Sequence, residues 1–287
     1  MINAFHSNWT TPFFSAQKHR KYYIDDFEIL TTILSALKWR ENNGSIKMVT
    51  DSIGKEYYEY LGIDKIWDLG IDTSLDNIKN INPKLYWAAG KIYALKNEEA
   101  PIVMMDTDFI VWNKLNCFKN EKGIYVIHKE HLDNKIYPDI KDIVLNNKYK
   151  INKSFDYTEL PCNTAFVYIG NNDFKNYYVD TSIDFMQNVN IGNDTIRNMV
   201  FAEQRLISLC AKFLNYNINS IYELEYLEQN TQKDFTHIWG YKQEMRKSYV
   251  VKREFCIKCI NRILKDYPEY KKLILNIKEF KDYLIKI

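Results

Sequence analysis

The sequence predicts an α/β protein built on a mostly parallel sheet, and three observations predict it. Short apolar runs alternate with segments of helical periodicity through the first hundred residues, the pattern of strand–helix units. The run Pro101-Ile-Val-Met-Met105 carries almost no polar atoms, as expected of a strand buried on both faces. It closes on Asp106-Thr-Asp108, and the carboxyl ends of such strands are where open α/β sheets bind ligands.

The elements follow in order. Ile2 to His6 reads as a first strand, ending in the polar turn Ser7-Asn8. Asp25 or Asp26 is placed to cap a helix reaching Arg40, with Phe27, Leu30, Ile33, Leu34 and Leu37 on one face. Asn42-Asn-Gly-Ser45 breaks it. Ile46 to Thr50 is a second strand, Lys55 to Leu61 a helix stopped by Gly62, and Lys65 to Leu69 a third strand. Lys84 to Lys96 repeats the helical spacing through Leu85, Ala88, Ala89, Ile92 and Leu95. Beyond the aspartates, Phe109 to Trp112 resumes an apolar run. Gly123 to Ile127 and Thr164 to Ile169 are further strands, and Phe174 to Met186 and Met199 to Phe213 are helices. From Tyr241 onward the chain is basic, aromatic and helical, with Pro268 dividing two helices. The division this implies is one α/β domain over residues 1–242 and a helical appendage over 243–287 packed on it.

Composition narrows the class. With 46% apolar and 26% charged residues and a formal net charge of +2 over 287 residues, the chain has the profile of a soluble globular protein. It has no overall field directed at nucleic acid. The 22 tyrosines and 15 phenylalanines suit a core and a sugar-stacking cleft equally. Neither a secretory leader pattern nor an apolar stretch of membrane-spanning length is expected. The five scattered cysteines point to a reducing, cytoplasmic setting. Cys256-x-x-Cys259 lacks a second pair and lies in a helical pattern, which reads as core rather than metal site.

Asp106 and Asp108 carry the chemistry. Two carboxylates one residue apart repel each other and are costly to desolvate, so they need a countercharge. A divalent cation with oxygen ligands supplies it, and a metal held there bridges to phosphate oxygens. A second group lies late in the chain, in Thr236-His237-Ile-Trp239-Gly240-Tyr-Lys242. There a neutral imidazole offers a metal ligand, a glycine allows close approach of backbone to phosphate, and a lysine offers a point charge.

Together these segments resemble the GT-A glycosyltransferases, with similarity to the retaining, family-8-like members. Asp106-Thr-Asp108 matches the D-x-D element, and Pro161-Cys-Asn163-Thr-Ala165 resembles the segment of Asn and small residues before a strand. Phe201-Ala-Glu203-Gln204-Arg205 resembles the acidic/Gln helix start. His237-x-x-Gly240-x-Lys242 resembles the late H-x-x-G-x-x-K-P-W motif, one residue short and without its Pro-Trp. The four stand in the family's order across residues 1–242, and the tail is not covered.

The resemblance implies a GT-A, Rossmann-like sheet and a metal-dependent hexosyltransferase. Asp106, Asp108 and His237 would hold Mn²⁺ or Mg²⁺, with Asp106 touching the metal or the donor's ribose. Gly240 and Lys242 would contact the diphosphate, while Asn163, Glu203 and Gln204 would line the sugar and acceptor side as the catalytic residues, Glu203 being the carboxylate candidate for base or nucleophile and Gln204 positioning the sugar. Phe5, His6 and Asp51 would surround the nucleobase, with Phe5 or Trp9 stacked on a uracil, and Lys91 would reach the donor or the aspartates. The implied partners are a nucleotide sugar, read as a UDP-sugar, and a glycan or lipid-linked acceptor in surface glycan synthesis. The tail's basic face is a candidate for peripheral contact with the inner face of an anionic membrane. Three other readings compete. One is a phosphatase whose strand ends in D-x-D, although a hundred residues precede the motif here. The second is a nucleotidyltransferase, although His6-Ser-Asn-Trp9 stands where its Gly-rich loop belongs. The third is a non-catalytic nucleotide-sugar binder.

Overall fold

The computed structural model describes residues 1–284 apart from 119, 121, 140–142, 146–149, 191–193 and 230. In chain order the strands are β1 (Ala4–Asn8), β2 (Ile46–Thr50), β3 (Ile71–Asp72), β4 (Ile102–Met105), β5 (Phe109–Val111) and β6 (Ile124–Val126). They continue as β7 (Val144–Leu145), β8 (Phe166–Ile169), β9 (Val189–Asn190), β10 (Ile218–Ser220) and β11 (Phe235–His237). Seven of them form one sheet in the order β10-β6-β8-β4-β1-β2-β3. All its neighbouring pairs are parallel except the two made by β8, which runs against both β4 and β6. This is the α/β, Rossmann-like, mostly parallel architecture that the sequence predicts.

Alternate residues of each strand feed two cores. Val103 and Met105 of β4 face one apolar cluster, and Ile102 and Met104 face the other. The second cluster is roofed by the helices Ala89–Lys96, Asn172–Asn188 and Leu206–Phe213. The first is filled by the helix Asp26–Asn42, in which every residue from Ile29 to Trp39 is buried, not only the predicted stripe. A helix apolar all round needs cover on both sides. The sheet supplies one side, and the helix Tyr249–Asp266 supplies the other.

Charged and phenolic groups fasten that outer layer at both ends. Arg246 donates from Nε to Asp25 at 2.9 Å, Lys252 pairs with Asp26 at 3.0 Å, and the Tyr283 hydroxyl donates to Asp26. At the far end Lys38 pairs with Asp266 at 2.7 Å, and the Tyr267 hydroxyl donates to Glu41 at 2.5 Å. The cations Arg246, Lys252 and Arg262 are thus engaged within the protein, the last with Asp266 and over the Trp112 ring. Cys256 and Cys259 are buried in this helix layer and unpaired by any disulfide, and burial pushes the Cys256 thiol up to about 12. No helix of the described residues is long and apolar enough to cross a membrane.

Several local expectations are corrected. Lys65 to Leu69 is not a strand. Asp64–Ile66 forms a 3₁₀ turn, and the strand comes after Gly70, which sits at a φ of 80°. The indole of Trp67, fully packed in the core, is what holds this segment in. Lys84 to Ala88 is turn, and the helix begins only at Ala89. The helix predicted from Met199 to Phe213 starts earlier, at Thr195, and is interrupted by a π-turn over Phe201–Arg205.

His6 and Phe5, expected beside a nucleobase, are instead core residues with no exposed surface. Trp67 Nε1 donates to His6 Nδ1 at 3.1 Å, so the ring proton is on Nε2, which donates to Ser35 Oγ at 3.0 Å. Ser35 Oγ in turn donates to the Phe109 carbonyl at 2.5 Å. This chain of hydrogen bonds ties β1 and a core helix to the backbone just after Asp108. Burial pushes the imidazole down to about 3, against the pull of Asp108. A neutral ring favoured by folding stabilises fully above its ordinary value of 6.5 and loses that contribution as pH falls toward 3. His6→Leu should therefore lower stability by about 2–4 kcal/mol at neutral pH, because it strands the Trp67 donor and unsettles Ser35. Urea unfolding at stepped pH should show the gap to wild type narrowing below pH 6.5.

Candidate active site

The site forms where β4 ends. Asp106 N donates to the Ala165 carbonyl at 2.8 Å, and Phe109 N returns to the Asp106 carbonyl at 3.0 Å, which folds Asp106-Thr-Asp108 into a tight turn. The chain leaves that turn as β5, which is not part of the main sheet but pairs antiparallel with β11. In this register His237 lies opposite Phe109, and Phe109 stacks on Phe235 with centroids 4.8 Å apart. Trp112 Nε1 donates to Thr236 Oγ1 at 2.8 Å and pins the other end. Pairing therefore carries an imidazole across some 130 residues of chain to the aspartates.

Ligand atoms of Asp106, Asp108 and His237 lie within 4.8 Å of one another. His237 Nε2 is 3.8 Å from Asp108 Oδ2, and Lys242 Nζ is 3.0 Å from the same oxygen. Burial holds the His237 imidazole below its ordinary value, outweighing the pull of Asp108 and Asp106, so the ring is neutral near pH 7. Burial alone would raise the Asp108 carboxyl, but Lys242 and then His237 outweigh it and keep the group ionised. Two carboxylates and a neutral imidazole suit Mn²⁺ or Mg²⁺. Among the described residues the buried Asp108 Oδ2 has no hydrogen-bond partner of good geometry and is engaged by ion pairing, with the Lys242 ammonium at 3.0 Å. The residues present fit a divalent metal.

Behind the aspartates lies a buried relay. Lys91, on the helix Ala89–Lys96, pairs with Asp106 at 2.7 Å and with Glu203, and donates to the Thr164 carbonyl at 3.1 Å. Burial pushes the ammonium down, but Asp106 and Glu203 more than reverse this and hold it charged. Glu203 accepts from Thr164 Oγ1 at 2.8 Å, and burial raises its carboxyl more than Lys91 lowers it. The π-turn puts Glu203 there. A π-turn leaves helix carbonyls without their usual partners, and here the Tyr178 hydroxyl donates to the Glu203 carbonyl at 2.8 Å and Cys162 N to that of Gln204 at 3.0 Å.

A cleft of about 380 Å³ opens over these groups. Lys91, Asp106, Asp108, His237 and Lys242 all line it. Trp9, offered with Phe5 as a stacking residue, lines it too, and the other predicted residues do not. Glu203 stands behind Lys91, Gln204 accepts from the Tyr137 hydroxyl, and Asn163 donates to Glu130 at 3.0 Å. A Cβ at Gly240 would meet nothing within 4 Å, and its φ of −71° suits any residue. Asp51 is buried, capping the helix Ser52–Leu61 through Gly54 N and accepting from Thr10 N and Oγ1 at 2.8 and 2.9 Å. It shapes the turn after β1 instead of meeting a ligand. At the end of β1 the cleft is lined by Asn8, Trp9, Phe13 and Tyr22, whereas Phe5, His6 and Asp51, expected beside a nucleobase, are not part of the lining. Asn8 and the Tyr22 hydroxyl exchange hydrogen bonds at 2.8 and 3.0 Å. Trp9 lies against Gly90, where a Cβ would sit 2.8 Å from that of Trp9. Glu28, Trp87 and Trp239 also line the cleft. No sequence pattern marks Glu28, since it sits in the first turn of a helix whose predicted interest was its apolar stripe.

Over residues 2–277 the chain matches the family described as "Family of unknown function (DUF6734)". It belongs to that family. The match runs well past Lys242, through most of the C-terminal helices. No curated protein matches the sequence. Among solved structures it is similar to the PaToxG glycosyltransferase, at 14% identity and a TM-score of 0.41 over 74% of this chain and 72% of that one. It is also similar to the glycosyltransferase GlyE of Streptococcus pneumoniae TIGR4, at 12% identity and 0.33 over 77% of this chain and 45% of that one. Mouse xyloside xylosyltransferase 1 in its apo form aligns at 7% and 0.34 over 76% and 77%.

Lys91 is the cation shared by the buried Glu203 and the half-buried Asp106. Lys91→Met should cost about 3 kcal/mol in urea unfolding, the expected penalty for removing one partner of a buried ion pair. Most of the loss should be recovered when Glu203→Gln is added, and a double-mutant cycle measures that coupling.

Proposed function

We propose that the protein is a metal-dependent glycosyltransferase that moves a sugar from a nucleoside-diphosphate sugar, a UDP-sugar by the family resemblance, to an acceptor hydroxyl in surface glycan synthesis. The observation that carries this reading is the convergence of Asp106, Asp108 and His237 from opposite ends of the chain on one cleft beside a lysine. Sequence alone put the four motifs in the order of the retaining, family-8-like enzymes, and this convergence supports that order.

In this reading Asp106, Asp108 and His237 hold Mn²⁺ or Mg²⁺. The bound cation would act as a Lewis acid on the diphosphate that departs. Lys242, at the start of the helix Tyr241–Lys247, adds a positive charge aimed at the same oxygens. Asn8 and Tyr22 offer an amide and a hydroxyl to a base, and Trp9 offers a flat apolar face. Trp87 and Trp239, 51% and 77% exposed at the cleft, are the acceptor side, because exposed indole faces pack well on the C–H faces of a pyranose. Glu203 serves as a positioning residue that holds Lys91, and through it Asp106. It is not a base, since Lys91 stands between it and Asp106.

Hydrolysis and transfer assays with UDP-sugars, with and without Mn²⁺, test the reading. Wild type should release UDP only with the metal, and Asp108→Asn should lose at least about a hundredfold in rate, on the scale of removing one dominant electrostatic group. Metal-independent turnover, or an Asp108→Asn enzyme as fast as wild type, overturns it.

A further inference from the structure

The Lys242 ammonium already pairs with one carboxylate of the candidate metal group. Its Nζ is 3.0 Å from Asp108 Oδ2, nearer than His237 Nε2 at 3.8 Å. The same Nζ is 3.2 Å from Glu28 Oε1. Glu28 is itself fixed, because Arg246 Nη2 donates to its other oxygen at 3.2 Å while Arg246 Nε holds Asp25 at 2.9 Å. The lysine is thus suspended between two carboxylates, one inside the candidate metal group and one outside it.

Charge counting gives this arrangement a consequence. Asp106 is paired with Lys91 and Asp108 with Lys242, and the His237 ring is neutral, so the group offers little net attraction to a bare cation. A divalent ion arriving at Asp108 also meets the Lys242 ammonium at short range, in surroundings that screen poorly. A diphosphate reverses both terms. It adds negative charge that the metal and Lys242 can share, and the short step to Glu28 frees Asp108.

We propose that Lys242 is a displaceable internal cation and Glu28 the carboxylate that receives it, so that the site takes a divalent ion strongly only together with a nucleoside diphosphate. Glu28 is on this account a specificity-determining residue that never touches the metal. The proposal rests on the donor-site reading above.

Mn²⁺ binding, followed by the electron paramagnetic resonance signal of the free ion with and without UDP, is the test. Wild type should bind Mn²⁺ weakly alone and at least about tenfold more tightly with UDP, a change of about 1.4 kcal/mol. Lys242→Gln should tighten binding of Mn²⁺ alone about tenfold and shrink the gain from UDP, with Lys242→Met moving the same way. Glu28→Gln should weaken Mn²⁺ alone, yet have almost no effect when added to Lys242→Gln, because Glu28 acts through the lysine. Thermal melts of each variant confirm that it folds. Unchanged or weaker Mn²⁺ binding by both lysine variants overturns the proposal, as does a Glu28 effect that persists undiminished without the lysine. If wild type still takes Mn²⁺ with UDP, the donor-site reading survives that failure; if no variant binds Mn²⁺ under any condition, both fall.

Discussion

The antiparallel pairing of β5 with β11 is the interaction on which the candidate site depends. Without it Asp106 and Asp108 would be two acidic groups at a strand end, and His237 and Lys242 would belong to a distant loop. The pairing is short, three residues on each side, so it relies on what surrounds it. Stacked Phe109 and Phe235 rings, the Trp112–Thr236 hydrogen bond and the Trp67–His6–Ser35 chain to the Phe109 carbonyl all act on the same few residues. Aromatic contact, side-chain hydrogen bonding and backbone pairing thus agree on one register, and a slip by one residue would turn His237 to the opposite face.

Electrostatics explains how so many acidic groups coexist beside the sheet. Asp106 and Asp108 each have a lysine within 3.0 Å, and the two lysines are secured from behind by Glu203 and Glu28. The cleft is therefore lined by paired charges before any ligand arrives. Such pairs add little net stability, since the cost of removing ions from water offsets most of their attraction. Their value lies in geometry, because each carboxylate is held at a defined place and charge.

The helices after Tyr241 belong to this argument. They cover the outer side of the helix Asp26–Asn42, and through Arg246 they fix Glu28, which faces the cleft from the first turn of that helix. Lys242 itself is in the first turn of the first of these helices. The π-turn at Phe201–Arg205 plays a matching part on the other side by turning Glu203 toward Lys91, with Tyr178 and Cys162 satisfying the carbonyls it exposes.

Local sequence determined the parallel α/β class, the strand buried on both faces at Ile102–Met105, the Asp106 and Asp108 pair at its end, and the separate motif containing His237 and Lys242. These were legible because hydrophobic period and residue type are local properties that survive in one dimension. Only the tertiary structure decided that His6, Phe5 and Asp51 are supports and not ligand contacts, for a histidine's role follows from its neighbours, and Trp67, Ser35 and Thr10 come from elsewhere in the chain. It likewise decided that Asn8, Tyr22 and Glu28 line the cleft and that Glu203, Gln204 and Asn163 do not. The physical reason is common to all of them. Burial and charge pairing depend on what packs alongside, and packing partners separated by tens to hundreds of residues leave no periodic trace in sequence.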